Sequence, residues 1–165
     1  MTFESLRKIV DVKLAKLGIK LSYKLGRTKS ESGTKQKTRT IYLNPADAKY
    51  KDLARHDTQH LLMHETGHIL LYDVPLRVQK SSEFVSLFGD VVKAYRRKQG
   101  KVKTSPDFIS NYAQVQPRDN FCEVFAVYCA FEGNLKAIFR FLKQHKKSGK
   151  VKAQVLWLSR FLKTR

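Results

Sequence analysis

The 165-residue chain is short of acidic residues, cysteine and long apolar runs, and each shortage closes off a class of protein. Only Cys122 and Cys129 are present, which excludes a disulfide scaffold and a cysteine-rich zinc knuckle. Seven residues apart on one predicted helix, their Cα atoms would lie about 10 Å apart, too far for a disulfide. Two buried thiols in a reducing cytoplasm follow as the expectation. No run of eighteen apolar residues occurs, so no membrane-spanning helix is expected. The first ten residues lack an apolar signal core and a small-residue cleavage site. The cytoplasm is therefore the expected compartment, with a virion-associated protein or a non-classical secretion route left open. Neither G-x-x-x-x-G-K nor G-x-G-x-x-G occurs, so no nucleotide-phosphate loop is predicted.

Acidic side chains are the largest deficit: 14 Asp and Glu stand against 33 Lys and Arg, a net charge of +19. The excess lies at the two ends. Residues 61–133 are nearly neutral at +1, residues 1–60 carry +8, and residues 134–165 carry ten basic and no acidic side chains. Such a field favours nucleic acid, another polyanion or an acidic protein substrate, although a solvated basic surface that only keeps the chain soluble accounts for it equally well. Phe139, Phe141, Trp157 and Phe161 interleave with the C-terminal charges, but their helical spacing reads as core rather than as stacking platforms.

Length and apolar content predict a single α+β domain, mostly helical, with a small sheet containing an antiparallel pair. Residues 1–54 are read as an N-terminal helix and sheet, 55–133 as the helices of a metal site, and 134–165 as basic C-terminal helices. Helical periodicity over 3–17 stops at Gly18. Alternation predicts strands over 19–27 and 38–43, joined by an exposed loop over 28–37. A short helical stretch from Ala46 leads to a long helix over 54–72. Further helices are predicted over 81–99 (capped by Ser81 or Ser82), 117–131, 135–143 and 151–162, with a solvated basic run over 93–103.

The long helix contains His64-Glu65-Thr66-Gly67-His68, an H-E-x-x-H pattern. Positions i and i+4 share one helical face, so both imidazoles can reach one tetrahedral metal. Glu65, beside the first ligand, can hold an attacking water and take its proton. Leu61, Leu62, Met63, Ile69, Leu70 and Leu71 flank the pattern, so the helix should be buried. His56 and His60 extend the four-residue stripe. One zinc takes only two ligands from one helix, so both are read as lying off the site.

A catalytic zinc needs a third protein ligand. The metzincin layout fails, because Leu71 and Val74 stand where it needs Gly and His, and no Met follows. His145 lies in a lysine-rich turn. A carboxylate is left, and Asp119 and Glu123, four apart on the 117–131 helix amid Phe121, Cys122, Val124 and Phe125, are the candidates. One would bind the metal, and the other would accept a hydrogen bond from a ligating imidazole. The plainer alternatives are a helix N-terminal acid for Asp119 and a surface acid for Glu123, the latter weakened by the cost of burying an isolated carboxylate.

Ser110-Asn111-Tyr112-Ala113, then Pro117-x-Asp119-x-Phe121-x-Glu123-x-Phe125-Ala126, resembles the second motif of the anthrax-lethal-factor-like zincins. There an H-E-x-x-H helix is followed by S-x-Y-A/G and a helix beginning E-D/x-F-A-E-x-F. The resemblance covers roughly residues 55–131. It implies a zincin-like metalloprotease fold with one zinc ion, His64 and His68 as ligands, and Glu65 as general base. Tyr112 would help polarise the scissile carbonyl or steady the zinc-bound species, Asp119 would be the third ligand, and Glu123 the partner of an imidazole. Asp119 is one methylene shorter than the family's Glu, so Glu123 stays open as an alternative ligand. A zinc metallopeptidase acting on a protein or peptide is the leading expectation. The alternative is a nucleic-acid-binding protein whose zincin core is structural or brings a protease to nucleic acid. A virion or toxin-type effector is implied by the resemblance alone.

Overall fold

The apolar run around His64 forms a helix that solvent barely reaches. The computed structural model describes residues 3–29, 32–44, 58–93 and 105–164. Among them, helix α2 (Thr58–Asp73) buries His60, the six residues from Leu62 to Gly67, and Ile69 to Leu71. A helix buried on every side must be wrapped by other elements. Its main neighbour is α5 (Pro117–Ala130), which begins with proline at its first turn and buries every residue from Asp119 to Cys129.

Gly67 sets how closely these two helices pack. A Cβ there would stand 3.0 Å from Cys122 Cα, 3.2 Å from Cys122 Cβ and 3.2 Å from a Phe125 ring carbon. Any larger residue would push α5 away from α2.

Helix α1 (Phe3–Lys16) buries Leu6, Val10 and Leu14 along one face and ends at Gly18, whose φ of 70° suits glycine. The sheet is small and mixed. Strands β1 (Lys24–Arg27), β2 (Gly33–Lys35) and β3 (Thr40–Leu43) lie in the order β1-β3-β2, with β1 parallel and β2 antiparallel to β3. Three expectations change here. The 19–27 strand is confined to residues 24–27, the 28–37 loop contains β2, and the two anticipated strands pair parallel. The reason is that β2 takes the hairpin position next to β3, so β1 must join the far edge. Arg39, at φ 51° in the β2–β3 turn, ties the sheet to the end of α2. Its guanidinium makes two bonds to Asp73, at 2.7 and 3.1 Å, and its Nε donates to the Ser22 carbonyl.

After Pro75 come the single turn α3 (Leu76–Gln79) and α4 (Ser82–Phe88), capped by the Ser81 hydroxyl accepting from Phe84 N–H. The helix expected over 81–99 stops at Phe88, because Gly89 (φ 90°) turns the chain against Pro117. Val91 is still buried, but Val92 is exposed. The helical stretch from Ala46, residues 54–57 of the long helix with His56, and most of the 93–103 basic run lie outside the described residues. Helices α6 (Leu135–Gln144) and α7 (Gly149–Lys163) follow as expected. Trp157 of α7 meets Phe84 and Phe88 edge-on at 5.1 and 5.5 Å between ring centres, and both phenylalanines also meet Phe121 of α5. This aromatic cluster packs α4 and α7 against α5. No helix among the described residues is long and apolar enough to cross a membrane.

Gly67→Ala should destabilise the protein by about 1–3 kcal/mol through overpacking, despite alanine's better helix propensity. Gly149→Ala, where a Cβ meets nothing within 4 Å, should change stability by less than about 0.5 kcal/mol. Chemical denaturation of the two variants checks the contrast; equal effects would mean that the α2–α5 approach is not tight at Gly67.

Candidate metal centre

Four-residue spacing on α2 and on α5 brings two ladders of polar groups together in an otherwise apolar contact. His64 Nε2 and His68 Nε2 lie 3.7 and 3.5 Å from Asp119 Oδ1. Ligand atoms about 2.0–2.2 Å from a tetrahedral ion stand about 3.3–3.6 Å apart, so each of the two imidazole–carboxylate separations is close to what a shared ion requires. One turn along each helix, His64 Nδ1 lies 2.7 Å from Glu123 Oε1 and His60 Nε2 lies 3.2 Å from the same oxygen. A carboxylate only accepts, so Nδ1 of His64 carries the proton in that bond and Nε2 is turned toward Asp119.

The centre is buried: His64 is 3% exposed, Asp119 1% and Glu123 4%, while His68 keeps some solvent contact. Asp119 Oδ2 has no hydrogen-bond partner among the described residues. A buried carboxylate oxygen left without a donor is costly, and a cation beside it removes that cost. His64, His68 and Cys122 also offer donor atoms that all lie within 4.8 Å of one another, so this buried cluster can hold a metal ion. Asp119 Oδ1 adds a carboxylate oxygen within 3.7 Å of the Nε2 atoms of both histidines. Burial, reinforced by the charges of Asp119, Glu65 and Glu123, raises the Cys122 thiol well above its ordinary value.

Burial alone would lower the pKa of His64, but its bonds to Asp119 and Glu123 lift it to about 10. Burial would raise both carboxyls, yet the facing imidazoles hold Asp119 and Glu123 well below the ordinary carboxylate range. Without a metal, His64 is thus an imidazolium between two carboxylates.

Glu65 is buried on the same helix, and the Thr34 hydroxyl of β2 lies 2.7 Å from its Oε2. Tyr112 opens a 3-10 turn (Tyr112–Gln114), which Ser110 stabilises by accepting from Ala113 N–H. Its ring meets that of His64 edge-on, 5.3 Å between centres. The structure therefore brings together His64, His68, Asp119, Glu123 and Tyr112, with Glu65 beside them.

Three participants escaped the sequence reading. His60 was read as off the site, yet it bonds Glu123; its place on the His64–His68 stripe was the available signal. Cys122, one turn after Asp119, is expected from sequence only as a buried thiol, yet it offers a donor atom beside His64 and His68. Thr34 lies in a stretch read as loop, where no pattern marked it. No protein-family model matches this chain, and no curated protein or solved structure shows significant similarity to it.

The pH dependence of the metal-free protein follows from these shifts. His64 is raised above 6.5, so its stabilising effect is complete below about pH 6.5 and is lost as pH climbs toward about 10. Asp119 and Glu123 are lowered from 3.8 and 4.5, so theirs is complete above about pH 4.5 and is lost as pH falls. Melting temperature in chelator should peak between about pH 4.5 and 6.5. A Tm that rises steadily from there to pH 10 would contradict the arrangement.

Proposed function

We propose that the protein is a zinc-dependent peptidase. The observation that carries this reading is that His64 Nε2 and His68 Nε2 both lie within 3.7 Å of Asp119 Oδ1, whose companion Oδ2 is buried with no hydrogen-bond partner among the described residues, with Glu65 one residue from the first histidine. A zinc ion, when bound, supplies a Lewis acid that polarises a carbonyl and makes water a better nucleophile near neutral pH. His64, His68 and Asp119 would hold it. Glu65 takes the proton of the attacking water and delivers it to the leaving amine. The Thr34 hydroxyl holds Oε2 in place for that exchange, and Tyr112 donates a hydrogen bond to the carbonyl oxygen as charge builds there.

A peptide, rather than another carbonyl compound, is favoured by the position of β2. Among the described residues β2 pairs only with β3, and its Thr34 touches Glu65, so an extended peptide can lie along a sheet edge beside the base. The similarity of residues 55–131 to the lethal-factor-like motifs supports the same reading.

Glu65→Gln should keep zinc and lose at least about 100-fold in peptide hydrolysis. His64→Ala and Asp119→Ala should lose the metal itself. Metal analysis of the purified variants, with hydrolysis of a peptide library as the second readout, checks this. Full activity of Glu65→Gln would remove the mechanism, and stoichiometric zinc in Asp119→Ala would move the third ligand to Cys122 or Glu123.

The ten basic and no acidic side chains of residues 134–165 favour a second role, polyanion binding. Trp157 is buried and stacked on Phe161, 5.0 Å between ring centres, so these aromatics are not presented to bases. Binding would then be electrostatic and indifferent to sequence. Affinity for single- or double-stranded nucleic acid should fall at least about tenfold between 50 and 200 mM salt, and absence of binding at 50 mM would end this second role.

A further inference from the structure

We propose that His60 is a positioning residue for the metal centre, acting through Glu123 on the imidazole of His64. The inference rests on the reading of His64, His68 and Asp119 as metal ligands. The two helices run their polar ladders in opposite directions: His68 and His64 face Asp119, while His64 and His60 face Glu123. Each carboxylate of α5 therefore sits between two successive histidines of α2. Only His64 belongs to both pairs.

Glu123 Oε1 receives both of its imidazole contacts on one oxygen, at 2.7 Å from His64 Nδ1 and 3.2 Å from His60 Nε2. Since that oxygen can only accept, each nitrogen presents a hydrogen to it. His64 is then fixed with its proton on Nδ1 and its Nε2 lone pair directed at the metal position. His60 is fixed with its proton on Nε2. A glutamate side chain has three rotatable bonds, and one hydrogen bond from His64 leaves it free to follow that ring. The second donor comes from a ring 9% exposed on the same rigid helix, one turn away, and it fixes the carboxylate independently of His64. Glu123 can then orient His64 instead of moving with it. Groups that hold a ligating imidazole in this way typically change metal affinity by 10- to 100-fold when removed.

The histidine stripe thus has divided work. His64 and His68 face the ion, and His60 holds the group that aims His64. Glutamine is the conservative test because its side-chain amide can place a donor near the position of His60 Nε2, whereas leucine fills the space without one.

Zinc affinity of the full-length protein, measured by competition with a chromogenic chelator, separates the possibilities. His60→Leu should bind zinc about 10- to 100-fold more weakly than wild type, and His60→Gln should recover to within about threefold. In a Glu123→Gln background, His60→Leu should cost less than about twofold more, because the route through the carboxylate is already broken. Wild-type affinity in His60→Leu, no recovery in His60→Gln, or an undiminished loss in the Glu123→Gln background would each overturn the proposal. Zinc retained by His64→Ala would instead overturn the ligand assignment, and a wild-type protein that binds no zinc would overturn both. If His60→Leu does not fold, nitrogen-15 NMR of the zinc-loaded wild type decides: a proton on His60 Nε2 and on His64 Nδ1 supports the role, and a bare His60 Nε2 overturns it.

Discussion

The distance between α2 and α5 at Gly67 is the constraint on which the centre depends. A Cβ there would reach the backbone of Cys122, the residue between Asp119 and Glu123 in the α5 ladder. Hydrogen bonds of 2.7 and 3.2 Å and ligand spacings near 3.5 Å tolerate little change in the separation of two helix axes. The glycine sacrifices helix propensity, about 1 kcal/mol relative to alanine, and in return the backbones come close enough for short side chains to meet. Asp119 is a short carboxylate, and the close packing is what lets it reach the histidines.

Burial then dictates which groups can occupy that contact. Two carboxylates and two imidazoles with almost no solvent access are unfavourable one by one and are tolerable only as a matched set. In the metal-free protein the His64 proton supplies the balancing charge. A divalent ion held by the same residues would take over that role. The aromatic cluster of Phe84, Phe88, Phe121 and Trp157 packs α4 and α7 against α5, and the Arg39–Asp73 pair holds the sheet, with Thr34, against α2. Polar precision at the centre is thus supported by apolar packing and one bidentate ion pair around it.

Helices were the legible part of the chain, because their signals are local. Periodicity placed α1, α5, α6 and α7 to within about two residues, and the four-residue spacing of His64, His68, Asp119 and Glu123 already put each pair on one face. Sheet pairing was not legible. Whether β1 lies parallel to β3 depends on β2 entering between them in sequence, and a three-residue strand with one glycine leaves too short a pattern to read. The early end of α4 was also missed. Its apolar spacing continues past Phe88, and the turn is made by Gly89 packing on Pro117, a contact between residues far apart in the chain.

The sequence by itself determined which chemistry is possible: two imidazoles one turn apart with a carboxylate between them, two more acids one turn apart on a later helix, and a strongly basic C-terminal segment. Those facts are local, set by the 3.6-residue turn and by composition. Tertiary structure alone decided which groups meet. It placed Asp119 between His64 and His68, set Glu123 between His60 and His64, brought Cys122 within reach of the same imidazoles, and laid Thr34 against Glu65. Each of these meetings depends on the separation and direction of two helices and one strand, and those follow from the packing of side chains distant in sequence.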